Sequence, residues 1–181
     1  MRPRLARSFL LLVLAEAAGI SAPIPKPAGV PNFHYVNDGL YRGGQPTLAG
    51  FEALAKAGIK TILDLRMSTR QSDWEARAVK RLRMHYVHLP LYGRETPTPK
   101  DINKALALLN DPAKLPVFVH CREGKDRTGM IIGCYRIAHD GWTNRRAMAE
   151  AKSYAGRELR HAMEDYILHF APTPVIVAGE Q

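Results

Sequence analysis

The sequence predicts an α/β domain, a central and mostly parallel sheet of about four to five strands flanked by helices. Two observations lead there. Short apolar runs of strand length recur along the chain, LYR (40–42), IKTILDL (59–65), HYVHLPL (85–91) and VFVH (117–120), each separated from the next by a stretch of helical pattern. Strands that alternate with helices pair in parallel, because the crossover helix returns the chain to the same edge. The chain is also long enough for one core, with 181 residues of which 46% are hydrophobic.

The elements follow in order. After LYR, the segment GGQP is a turn made by glycine freedom and a fixed proline φ. Thr47 caps the helix LAGFEALAKAG, which places Phe51, Leu54 and Ala55 on one face and stops at Gly58. IKTILDL reads as a buried strand, and STRQSDWEARAVKRL as a helix with a polar face. HYVHLPL is a strand ending at a proline, and YGRETPTP a loop. Residues 100–110 are helical, DPAKLP turns the chain, and VFVH is the next strand. Three helices then follow: TGMIIGCYRIAHD, TNRRAMAEAKSYA and RELRHAMEDYILHF.

The two ends differ from the middle. Arg2, Arg4 and Arg7 precede SFLLLVLA and a run of small residues, the order of a secretory signal peptide, with an apolar run too short for a typical membrane span. The expected organisation is a signal peptide or anchor over 1–22, a proline-rich linker over 23–30, the catalytic domain over 31–170 and a tail over 171–181. The expected location is the periplasm or the exterior, or a membrane held through the N-terminus, with the cytoplasm as the alternative. The net charge of +9 favours anionic partners. No zinc spacing, recognition helix or aromatic–basic interleaving points to nucleic acid. Two cysteines make no disulfide framework for a domain of this size. Cys134 falls in an apolar helical run and reads as core.

Cys121 is different. It lies in HCREGKDRTG, between the strand VFV and an apolar helix, beside Arg122, Glu123, Lys125, Asp126 and Arg127. Such a loop can turn its N–H groups inward as an anion cradle, with the helix N-terminus adding its positive end. Gly124 allows close backbone approach. Arg127, six residues past the cysteine, can bring a planar fork over the same anion. Cationic surroundings and a helix terminus favour the thiolate. A nucleophile on the floor of an oxyanion cradle suits phosphoryl transfer through a covalent intermediate. The expected phosphate site is the loop Arg122, Glu123, Gly124, Lys125, Asp126, Arg127 and Thr128. The Thr128 hydroxyl is expected to face the thiolate, and His120 to brace the loop.

The combination His-Cys-x2-Gly-x2-Arg-Thr-Gly resembles the signature loop of the cysteine-based protein tyrosine phosphatase superfamily. NFHYVNDGLYRGGQPTLAGFEALAKAGIKTILDLR resembles the amino-terminal half of its compact bacterial and fungal dual-specificity-like members, over approximately residues 30 to 170 in all. The resemblance implies a phosphocysteine at Cys121, phosphate held by loop amides and Arg127, and no metal or cofactor. It also implies a general-acid aspartate on a loop before the cysteine. LPLYGRETPTPKDI has none until Asp101, which starts a helix, so the candidates are Asp126, placed first, and Glu95. Relatives with a lysine where Lys125 stands include enzymes of phosphoinositides and inositol phosphates. The expected partners are a phosphorylated protein or a small polyanionic phosphate. A membrane enters only through an uncleaved N-terminus or a phosphoinositide, and the chain is expected to be a monomer.

Other residues attract blander readings. His85 and His88 face opposite sides of a strand, which is unsuited to a shared metal. Asp64 and Arg66 read as a buried ion pair, Arg42 as an anchor for its turn, and Arg145 and Arg146 as a solvated helix face. Two rival functions remain, a rhodanese-like sulfurtransferase and a phosphate-binding module with weak turnover. The Arg-Thr-Gly ending argues against the first, and intact Cys121 and Arg127 against the second.

Overall fold

A computed structural model describes residues 24–67, 70–92 and 95–172. The signal-peptide reading of 1–22 and most of the expected tail lie outside them. In chain order the elements are β1 (His34–Asn37), β2 (Leu40–Gly43), α1 (Leu48–Lys56), β3 (Thr61–Asp64), α2 (Arg70–Arg81), β4 (His85–His88), α3 (Pro99–Leu109), β5 (Val117–His120), α4 (Asp126–Ala138), α5 (Asn144–Ala155) and α6 (His161–His169). The five strands form one sheet in the order β1-β2-β5-β3-β4. Only β1 runs antiparallel, paired with β2. Among the described residues no helix is long and apolar enough to cross a membrane.

The period of two along each strand divides the core. Ile62 and Phe118 pack with Phe51 and Leu54 of α1 and Val79 of α2. Their neighbours Leu63, Val117 and Val119 pack on the other face with α3 to α6. Helix α4 is buried nearly all round, from Met130 to Tyr135, because it lies between the sheet and α5. Its apolar run MIIGCY is therefore a core segment, and Cys134 is fully buried there with its thiol pushed far up by desolvation.

Thr47, Thr98 and Thr143 cap α1, α3 and α5, each accepting from a backbone N–H in the first turn. Residues 24–30, expected as a linker, lie on the domain instead. Val30 is buried, and the Gly29 carbonyl accepts from the Thr47 N–H at 2.9 Å. Strand β1 was not expected from the pattern. Only Val36 of its four residues is buried, so HYVN lacks the apolar alternation that marks a strand.

Pairing sets the strand ends level. His120 of β5 lies opposite Gly43 of β2 on one side and Asp64 of β3 on the other. Asp64 in turn lies opposite His88 of β4. All four carboxyl ends of the parallel strands thus finish on one line, and the cysteine loop leaves from its middle. Sheets of this kind place chemistry beyond that edge.

Candidate active site

The loop from Cys121 to Lys125 joins β5 to α4, and its carbonyl oxygens are held from outside. The Arg122 carbonyl accepts from the Gln45 N–H at 3.1 Å. Asn32 Nδ2 donates to the carbonyls of Glu123 and Gly124, both at 3.2 Å. Arg42 Nη2 donates to the Gly124 carbonyl at 2.9 Å. A loop whose carbonyls are drawn outward leaves its N–H groups for the inner face, which is the requirement for an anion cradle. Gly124 permits this shape, with a φ of +72° and a backbone packed so closely on Gly43 and Gly44 that no Cβ fits.

Helix α4 starts at Asp126, two residues earlier than the sequence suggests, so Arg127 and Thr128 sit in its first turn. Its N-cap is Lys125, whose side chain cannot accept a hydrogen bond. The first-turn N–H groups therefore keep their free capacity at the cradle, with the helix dipole behind them. Cys121 is 3% exposed at the base. A cleft of about 180 Å³ opens over it, lined by Met67, Cys121, Arg122, Glu123, Asp126, Arg127 and Arg160. A neighbouring cleft of about 520 Å³ shares Met67, Arg122 and Arg127 and adds Gln45, Arg66 and Gln71. Arg127 Nη1 lies within 3.4 Å of the carbonyls of Leu65 and Leu91, which fix the guanidinium at the mouth. The Thr128 hydroxyl is buried with no protein partner.

His120 braces the loop from the α2 side. Its Nε2 lies 2.7 Å from Glu75 Oε1 and its Nδ1 3.2 Å from the Cys121 carbonyl. Glu75 also accepts from Gln45 Nε2 and Arg66 Nη2, both at 2.6 Å. Arg66 grips Asp64 through two further bonds of 2.9 and 2.7 Å. Burial pushes the Asp64 carboxyl up, but the Arg66 bonds and nearby cations outweigh it and hold the group below the usual carboxylate range. The expected ion pair of Asp64 and Arg66 is thus part of a larger buried network. Asp64, Glu75 and His120 also stand close enough to share a metal ion, their ligand atoms lying within 4.8 Å of one another. Arg66 already bonds both carboxylates there, so the cation these acids serve is a guanidinium.

Asp126 is held by two arginines. Expected first as the proton donor, it accepts instead from Arg157 Nη1 and Nη2 at 3.2 and 2.8 Å and from the Arg160 N–H at 2.8 Å. Burial raises its pKa, but these bonds and the two arginine charges prevail and set it below the ordinary value. A neutral-pH acid needs the opposite shift. The Lys125 ammonium lies 4.0 Å from a Glu123 carboxylate oxygen. Glu95 is exposed, and its N–H bonds the Tyr92 carbonyl at 3.3 Å. It does not line either cleft over the loop.

Sequence reasoning missed Asn32, Glu75, Arg157 and Arg160, and gave Arg42 to its own turn. Each acts across a sequence separation of 31 or more on the signature loop or on His120. Arg145 and Arg146 are exposed as expected, with Arg146 lying 3.7 Å from the Trp142 ring centroid.

Comparison with known proteins identifies the family. Residues 25–167 match the family described as PTP-NADK, a DSP-PTPase phosphatase fused to NAD+ kinase. Inositol diphosphatase DSP5 of Arabidopsis thaliana is 33% identical over 137 residues, which is 72% of this chain and 65% of the relative. Inositol diphosphatase DSP3 of the same plant is 31% identical over 77% of this chain and 70% of its own length. This chain therefore spans about two thirds of these relatives. Among solved structures, the core catalytic domain of the PP-IP phosphatase SIW14 from S. cerevisiae, in complex with citrate, superposes with a TM-score of 0.71 at 26% identity. That match covers 81% of this chain and 89% of the other. With its cysteine loop, its level strand ends and this match over most of its length, the chain belongs to the DSP-PTPase phosphatase family, within the cysteine-based protein tyrosine phosphatases.

Proposed function

We propose that the protein is a phosphatase working through a phosphocysteine on Cys121, and that its preferred substrate is a phosphoanhydride on a small polyanion of the inositol diphosphate kind. The Cys121 thiolate attacks phosphorus, the S–P bond forms as the O–P bond breaks, and water later cleaves S–P to release phosphate. Loop N–H groups, the α4 terminus and Arg127 stabilise the charge on the transferring phosphoryl oxygens. Arg122, Arg127 and Arg160 line the two adjoining clefts and supply cations for further phosphates there.

The observation that carries the substrate reading is the state of Asp126. Its carboxylate is tied to Arg157 and Arg160, so Asp126 is not poised as a proton donor in the cradle. An acid matters most when the leaving group is basic. A tyrosine phenolate leaves with a pKa of about 10, whereas a phosphate has a second pKa of about 6 and departs without a proton. An anhydride therefore suits a site without a donor, and the inositol diphosphatase relatives support the same reading.

The test compares phosphate release from an inositol diphosphate, para-nitrophenyl phosphate and phosphoserine, phosphothreonine and phosphotyrosine peptides, by residues 23–181 with a chelator present. The expected order puts the anhydride first and phosphoserine last, with all turnover lost in Cys121→Ser. A preference for phosphopeptides would overturn the anhydride assignment. Phosphate binding without turnover would favour the binding module, and thiosulfate consumption the sulfurtransferase.

A further inference from the structure

Among the described residues Arg42 is the largest fully buried side chain, and no carboxylate there pairs with its charge. It projects from β2 toward the α4–α5 face, where Nη2 reaches the Gly124 carbonyl at 2.9 Å and lies beside Gly129 in the first turn of α4. The Tyr154 ring stands 4.6 Å from its guanidinium carbon. Nε and Nη1 are buried without a hydrogen-bond partner among the described residues. Glu150 is the nearest acid to act on it electrostatically, but both Glu150 oxygens are bonded by Arg136. A buried cation in this setting is costly. The amino end of α4 beside it adds positive potential and makes the burial less favourable still. Desolvation lowers its pKa to about 10, which still leaves it charged at neutral pH.

Such a group persists where an anion of the function compensates it. The Gly124 carbonyl that Arg42 bonds belongs to the loop that starts at Cys121, so the buried charge lies directly beneath that loop. We propose that Arg42 is the fixed counter-charge beneath the signature loop: its guanidinium holds the Gly124 carbonyl outward and favours the Cys121 thiolate from the side opposite the substrate. This deepens the phosphatase reading and rests on Cys121 as nucleophile. Arg42 is thus a positioning residue that acts through the loop. The other charged or titratable groups about Cys121 are Arg122, Glu123, Asp126, Arg127 and Arg160 at the cleft, Glu150, Tyr154 and Arg136 around Arg42, and His120 on the α2 side.

The test separates charge from hydrogen bonding. Arg42→Gln keeps a donor without charge, and Arg42→Lys keeps charge without the planar fork. Alkylation of Cys121 by iodoacetamide, located by mass spectrometry, is followed against pH, beside the affinity for inorganic phosphate. This reads the thiol without turnover, so its failure and that of the phosphatase reading are distinguishable. The expected result for Arg42→Gln is a rate profile displaced upward by about one pH unit, a tenfold loss of thiolate at fixed pH, and phosphate binding weakened about tenfold. Arg42→Lys stays within threefold of the unmodified protein in both. Equal behaviour of the two variants would overturn the proposal. Should the Gln variant not fold, arginine side-chain NMR of the unmodified protein decides. The Arg42 Nε–H signal is expected to shift at the midpoint of Cys121 alkylation, and to stay fixed over that range in Cys121→Ser. A signal that ignores the thiol would equally refute the idea.

Discussion

Gly124→Ala perturbs the cradle at the point where the loop crosses the end of β2. Two contributions can be separated. The first is backbone conformation. At φ +72° an L-residue is strained by about 1–2 kcal/mol. The second is overlap: an ideal Cβ would lie 2.3 Å from the Gly43 carbonyl carbon, 2.4 Å from its oxygen and 2.6 Å from the Gly44 nitrogen. Ordinary contact begins at 3.4 Å, so relief requires a retreat of about 1 Å (3.4 less 2.3) against backbone paired to His120. Overpacking of this kind costs about 1–3 kcal/mol, for a total of about 2–5 kcal/mol. Gly58 supplies the control, since its φ is +89° with nothing within 4 Å of the added carbon. Gly58→Ala should therefore lose only the conformational part, about 1–2 kcal/mol. Urea unfolding gives the stabilities, and phosphate release gives the activity. A 1 Å displacement of the cradle corresponds to a loss of about 10²-fold in rate, whereas Gly58→Ala keeps the full rate. Equal urea midpoints for the two variants, with Gly124→Ala still active within threefold, would refute this account of the loop.

Three further predictions come from the buried charges. Glu75→Ala removes the partner of His120 Nε2 and one of the two carboxylates that hold Arg66, and should cost about 3–5 kcal/mol in urea. Glu75→Gln, which keeps an acceptor oxygen, should cost less. Asp126 has a folded pKa below its unfolded one, so its stabilisation is present above about pH 3.9 and is lost as pH falls through the folded value. The gap in urea midpoint between the unmodified protein and Asp126→Asn should be full at pH 7 and close below pH 4. On an inositol diphosphate at pH 7, Asp126→Asn should retain kcat within tenfold. A fall of about 10²-fold or more, with the basic limb of the pH profile erased, would restore Asp126 as the acid.

The parts legible in the sequence are those decided locally. Cys121, Gly124, Arg127 and the strand–loop–helix setting lie within one short segment, and Thr47 caps the helix that begins at the next residue. Strands β3 and β5 announce themselves because both faces are buried and each is built around adjacent apolar residues, Ile62 and Leu63 in one and Val117 to Val119 in the other. Strand β1 does not, because a short antiparallel edge buries one residue in four. The charges in the loop are legible as charges, but their partners are not. Asp126 is bound by residues from the α5–α6 connection, 31 and 34 positions away. Arg42 and Asn32 reach the loop across 82 to 92 residues. Strand parity places Arg42 on one face and His120 on the other, and register alone brings both to the same loop. Helix α2 likewise gives no sign that Glu75 points inward, since its sequence reads as a charged face around a single tryptophan.

The central claim is that Cys121 carries the phosphoryl group. Acid-quenched turnover of an inositol diphosphate, followed by mass spectrometry of the cysteine peptide, tests it directly. The account predicts one phosphoryl group on Cys121 in the unmodified protein and neither adduct nor phosphate release in Cys121→Ser. Phosphate release that survives in Cys121→Ser would contradict it.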